Sequence, residues 1–148
     1  MLDEYRELID FLAQTPTQLK DSAAAAANPP EGEWNAAQVI GHLAACEFYF
    51  VERLNRLLRE ESPHLRSISA KATERQQSMM DASVDENLQA FNELRGESVS
   101  MLMSLALNLW DRAGTYENAG KMSIEDVVEL MIDHDAEHLA QIQGLMTK

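Results

Sequence analysis

Apolar positions recur along this chain at three- and four-residue intervals in four separate stretches, and no stretch shows the alternation of a strand. The first carries Leu2, Tyr5, Leu8, Ile9 and Leu12. Thr15-Pro16 follows as a cap and a proline at a first helical position, which predicts a kink or restart. The second half passes Leu19 and Ala23 to Ala27 and stops at Asn28-Pro29-Pro30. The second stretch opens on Asn35 and Gln38, the spacing of a capping box, and continues through Val39, Ile40, Leu43, Phe50, Val51, Leu54, Leu57 and Leu58. The third opens on Ser83 and Glu86 in the same arrangement and carries Leu88, Phe91, Leu94, Leu102, Leu105 and Leu109, with Gly96 as its weakest turn. The fourth begins at Ser123, where Glu125 and Asp126 suit the positive end of a helix dipole, and runs through Val127, Val128, Met131, Leu139, Ile142 and Leu145.

These patterns predict helices over 2–27, 35–61, 84–110 and 123–146. Short segments rich in Pro, Gly, Asn and Glu join the first pair and the last pair. Residues 62–82 form a longer link, too long for a structureless loop in a compact domain. The expected fold is therefore an all-α four-helix bundle, with one long crossover connection between helices two and three.

Composition narrows the function classes. A length of 148 residues suits one domain, 1–148, with a core of its own. Lys and Arg number 12 against 25 Asp and Glu, a formal net charge of −13, which repels phosphate backbones and anionic lipid. Nucleic acid and membrane are not expected partners. No segment approaches the ~18 unbroken apolar residues of a membrane span. The opening Met1-Leu2-Asp3-Glu4-Tyr5 lacks the features of a signal peptide. One cysteine, Cys46, leaves no internal disulfide, and a cytoplasmic location is expected.

The candidate chemistry lies where polar residues interrupt the stripes. His134 and His138 stand at i and i+4, on one helix face that continues the Val127–Met131 stripe, so both rings are expected to point inward. His42 lies at the edge of the stripe on helix two. Buried imidazoles need partners, and a divalent ion satisfies several at once. A solvated surface pair and a hydrogen-bonded core histidine account for the spacing as well, so both readings stand at this point. His64, beside Pro63 in the crossover, reads as a loop residue.

Two segments then carry a family resemblance. Trp34-Asn35-Ala36-Ala37-Gln38-Val39-Ile40-Gly41-His42-Leu43 is the first. Arg112, Gly120-Lys121-Met122-Ser123, His134-Asp135 and His138-Leu139-Ala140-Gln141-Ile142 make up the second. In order and spacing these resemble the DinB-like superfamily, related to thiol-dependent S-transferases, over nearly the whole chain. The resemblance implies a bundle holding one divalent metal ion (Zn, Ni or Fe) through His42, His134 and His138. It also implies a possible homodimer. Some members transfer a small thiol such as bacillithiol, mycothiol or glutathione, or use a thiol to isomerise maleylpyruvate; many have no known reaction.

The neighbouring residues carry two readings each. Asp135 follows a histidine as the general base does in H-E-x-x-H proteases, but it is a methylene shorter, and a supporting role is expected instead. Glu47 is expected to be a hydrogen-bonded core carboxylate rather than a proton acceptor. Tyr49 and Arg53 line a pocket or simply pack, and Trp34 packs at the helix entrance. Cys46, four residues after His42, either fills space or completes a four-ligand site; a closed site is structural, whereas an open one is catalytic. Three function classes follow: a metal-dependent thiol transferase, a non-catalytic interaction or dimerisation module with a structural metal, and a metal-dependent hydrolase.

Overall fold

The computed structural model describes residues 2–145. Four long helices form the bundle: α1 (Asp3–Ala25), α2 (Ala36–Arg59), α4 (Val84–Met103) and α5 (Ile124–Gln143), with α3 (Ser69–Gln76) inside the crossover. Each of α2, α4 and α5 opens on a closed capping box: Asn35 with Gln38, Ser83 with Glu86, and Ser123 with Asp126. The side-chain oxygen and the N3 side chain thus satisfy two backbone N–H groups that a helix start leaves without partners.

Around the bundle the order is α1, α4, α2, α5, so α1 faces α2 across a diagonal and α4 faces α5 across the other. The crossover makes this possible, since it carries the chain along α2 through α3 before α4 begins. Gly41 lets that packing close: a Cβ there would stand 3.0 Å from the Asn87 amide and 3.2 Å from Met79.

Three expectations need correction. The helix through Pro16 is continuous, without a restart. The third bundle helix ends at Met103 rather than 110; a 3-10 turn follows at Leu107–Leu109, and residues 113–123 form a β-hairpin, β2 (Ala113–Tyr116) against β3 (Gly120–Ser123). A short strand in the crossover, β1 (His64–Leu65), pairs parallel with β2. These strands are two to four residues long, too short for alternation to register in the sequence. The fourth bundle helix ends at Gln143, and its expected end at 146 lies outside the described residues. Arg112, at the hairpin's start, donates to the carbonyls of Leu57 (2.7 Å) and Glu60 (2.8 Å), closing the last turn of α2. Among the described residues no helix is long and apolar enough to cross a membrane.

The core divides in two. One cluster gathers Ile9, Leu12, Phe50, Leu54, Trp110 and Met131, and the other Leu19, Val39, Leu43, Phe91 and Ile142. Between them in sequence, every long helix places a polar residue in the interior: Thr15, Glu47, Arg95 with Ser98, and Asp135. Arg95 sits at its centre, 2% exposed. It donates to both oxygens of Glu47 (2.9 and 3.0 Å), to both of Asp135 (2.7 and 2.9 Å) and to the Leu12 carbonyl (2.8 Å). Ser98 donates to Glu47 and Thr15 to Asp135, each at 2.8 Å. Burial works against the Arg95 charge, but the two carboxylates outweigh it and raise its pKa above the ordinary value. The layer ties all four helices together, one residue away from Cys46 on α2 and from His134 on α5.

Candidate metal centre

Helical spacing sets two side-chain ladders against each other. On α2, His42, Cys46 and Phe50 stand at i, i+4 and i+8; on α5, Leu130, His134 and His138 do the same. The ladders run antiparallel. The His42 ring lies 4.6 Å from that of His138 and 5.3 Å from that of His134, while Phe50 lies 5.9 Å from His134. The His134 and His138 rings are 4.6 Å apart. All three expected histidines therefore converge, and His64 stays apart, exposed in β1.

Their orientation differs from the expected one in a useful way. The core position of α5 after Met131 belongs to Asp135, and His134 and His138 are half-buried at the edge of the stripe. The rings thus face α2 rather than the centre of the bundle, and His134 borders a cavity there.

Two glutamine side chains fix the imidazoles. His42 Nδ1–H donates to Gln76 Oε1 at 3.0 Å, and His138 Nδ1–H donates to Gln141 Oε1 at 2.8 Å. An amide oxygen can only accept, so Nδ1 carries the proton in both and Nε2 keeps its lone pair. Burial lowers the pKa of His42, with the Gln76 bond working the other way. His134 is pushed down to about 3, first by burial and then by the charges of His138, His42 and Arg95. Both rings are held in the neutral form that metal ligation requires.

The donor spacing fits an ion. His134 Nε2 lies 3.3 Å from His42 Nε2, and Cys46 Sγ lies 3.6 Å from the same nitrogen. Nitrogens at ~2.0–2.1 Å from a tetrahedral ion stand about 3.3 Å apart, and a sulfur at ~2.3 Å stands about 3.6 Å from such a nitrogen. Donor atoms of His42, Cys46 and His134 all lie within 4.8 Å of one another, whereas His138, the third expected ligand, brings its ring beside theirs but its donor atom is not in this group. Cys46 is thus at ligand distance, as its spacing allowed. Burial, with Glu47 beside it, pushes its thiol up to about 12, so in the metal-free protein it is a neutral hydrogen-bonding group against His42.

The other candidates have structural work. Glu47 and Asp135 are both committed to Arg95, the supporting roles expected of them. Arg53 is buried and donates to Glu52 and to the Arg66 carbonyl, anchoring the start of the crossover. Tyr49 borders a separate groove with Lys71 and Arg75. Trp34 packs at the entrance of α2, with its ring 5.3 Å from that of His42. Gln76 and Arg95 carried no motif. Arg95 did carry a signal, since it occupies a core position in the series Leu88, Phe91, Arg95, Ser98, Leu102, where a cation requires buried carboxylates.

A four-helix bundle with a diagonal α1–α2 pair and three histidines from α2 and α5 defines a class of protein. The chain belongs to the DinB superfamily, whose family model matches residues 3–142. It is similar to a Bacillus subtilis (strain 168) protein named "Putative metal-dependent hydrolase YfiT", 26% identical over 145 residues, 93% of this chain and 81% of that one. The solved structure of YfiT from Bacillus subtilis superposes with a TM-score of 0.84 at 24% identity, covering 98% of this chain and 87% of that one. That structure is described as "a probable metal-dependent hydrolase with an unusual four-helix bundle topology", and the likeness extends to the bundle seen here.

Proposed function

We propose that this chain is a metal-dependent S-transferase in which His42, His134 and His138 hold one divalent ion and a small thiol attacks an electrophile beside it. The observation that carries this reading is a cluster of three imidazoles, two of which, His42 and His134, border a cavity whose lining has no carboxylate or amine among the described residues. A bound divalent ion supplies a positive charge and an open position, which lower the pKa of an entering thiol from its ordinary ~8.5.

The chain's own residues do the rest. Gln76 and Gln141 aim the ring nitrogens. Phe50, Ile68 and Leu130 wall the cavity with apolar surface. In the transfer the thiol gives its proton to solvent, its sulfur bonds to carbon, and the leaving group departs with the bonding pair. Water as nucleophile asks for a positioned base, and the two buried carboxylates next in sequence to the site residues, Glu47 and Asp135, are both tied to Arg95. This favours the thiol. Hydrolysis is the second reading, supported by the name of the Bacillus subtilis relative.

Thiol titration of the cobalt-substituted protein tests the proposal. A sulfur-to-cobalt charge-transfer band that appears only on adding thiol is expected. A band already present without thiol, and absent in Cys46→Ser, would mean that the protein's own cysteine closes the site. The metal would then be structural, and the bundle an interaction module.

A further inference from the structure

The same ladders that bring the histidines together end in apolar residues. Four residues before His134 on its face comes Leu130, and four after Cys46 comes Phe50. Because α2 and α5 run antiparallel, both fall on the same side of the imidazoles. The crossover and the hairpin close over them with Ile68, Ala72 and Tyr116, leaving a cavity of about 340 Å³ that reaches His42 and His134. This is near the lower end of ligand cavities, ~300–1,000 Å³, and suits a small molecule rather than a polymer.

The lining decides what kind of molecule. No Asp, Glu, Lys or Arg borders this cavity among the described residues, whereas the neighbouring groove along α3 is bordered by Lys71, Glu74 and Arg75. A charged ligand group would lose its water in the cavity without gaining an ion partner from the wall. The net charge of −13 adds a repulsive field against anions. Leu130 is 39% exposed, unusual for leucine on a helix face that leads to polar side chains, and it borders the opening.

We propose that this cavity selects a small, uncharged, largely apolar electrophile, and that Leu130 on α5 and Ile68 at the start of α3 set the preference. The proposal rests on the reading above, in that the histidines mark where the reaction takes place. It goes further in naming what enters: an uncharged aryl or alkyl compound, in preference to an anionic one.

Fluorescence titration with N-phenylnaphthylamine and with its sulfonated counterpart, anilinonaphthalene sulfonate, tests this on both metal-free and zinc-loaded protein. The uncharged probe is expected to bind with blue-shifted emission, tighter than the sulfonate by on the order of tenfold or more. Leu130→Glu and Ile68→Lys should each weaken the uncharged probe by about tenfold or more. Phe11→Ser removes an exposed aromatic on α1 that does not border the cavity and should change nothing. Equal affinity for the two probes, or binding that follows Phe11 rather than Leu130, overturns the proposal. Binding in metal-free protein does not depend on the ion. Selective binding without a thiol-induced cobalt band therefore leaves the cavity standing while the transferase reading falls. A band without selective binding does the reverse.

Discussion

Pro16 deprives the Leu12 carbonyl of its helical partner, and Arg95 takes that partner's place. Proline has no backbone N–H, so the carbonyl four residues earlier in α1 would otherwise be left bare inside the bundle. The Arg95 guanidinium reaches it at 2.8 Å from α4. The same group spans the centre to Asp135 on α5, beside His134. One arginine thus accounts both for a proline inside an unbroken helix and for the placement of α5, the helix that carries two of the three histidines.

Removing the cation should be costly. Arg95→Met leaves Glu47 and Asp135 buried without their partner, and a loss of about 3–5 kcal/mol is expected. Urea unfolding followed by circular dichroism measures it. The triple variant Glu47→Leu, Arg95→Met, Asp135→Leu should recover part of the loss, because it removes the unpaired charges while leaving the Leu12 carbonyl and the Thr15 and Ser98 hydroxyls without these partners. A triple variant no more stable than the single one would mean the layer is needed for more than charge balance.

Metal retention should depend on three histidines and not on the fourth. Ala at His42, His134 or His138 is expected to lower the ion content of dialysed protein from about one per chain to a small fraction. His64→Ala should leave it unchanged, since His64 is exposed in β1. Elemental analysis of protein prepared without chelators decides this. Full retention by His42→Ala would remove α2 from the site.

The four long helices were legible because each has an amphipathic period and three have capping boxes, signals that are local in sequence. The histidine cluster was legible as well, through the i, i+4 pair and the position of His42. The hairpin was not, because two four-residue strands paired through a tight turn leave little pattern. Nor was the ring order α1, α4, α2, α5, which depends on where the crossover lays the chain rather than on any one segment. The polar layer lies between these cases. Arg95, Glu47 and Asp135 each interrupt an apolar stripe, and three such interruptions of matching charge are a sign of contact across a core, readable only when taken together.

The crossover should contribute to metal affinity through a single amide. Gln76 is 4% exposed at the end of α3 and holds His42 through Nδ1. Gln76→Leu keeps the volume roughly but removes the acceptor, so the ring loses its fixed tautomer. Weaker zinc binding by roughly 10–100-fold is expected, as for other partners of ligating histidines. Competition with a chromophoric chelator reads the affinity, and thermal unfolding of the metal-free variant checks that the fold persists. Unchanged affinity would show that the tautomer is fixed by something other than Gln76.

Acid should weaken the metal-free protein before it reaches the carboxylate range. His134 has an ordinary value of 6.5 and is pushed to about 3 in the fold, while His42 is also lowered, in both cases chiefly by burial. Between those values the unfolded chain takes up a proton at His134 that the native chain refuses. The unfolded state then binds more protons, so stability rises with pH across this window and is lost as pH falls below about 6.5. Above it both states are neutral at this ring and the contribution is flat. One such group changes stability by at most about 1.4 kcal/mol per pH unit. The melting temperature of metal-free protein is therefore expected to drop between about pH 7.5 and about pH 5.5, and His134→Gln to flatten the slope. Equal slopes in the variant and the parent would place the proton uptake on another group.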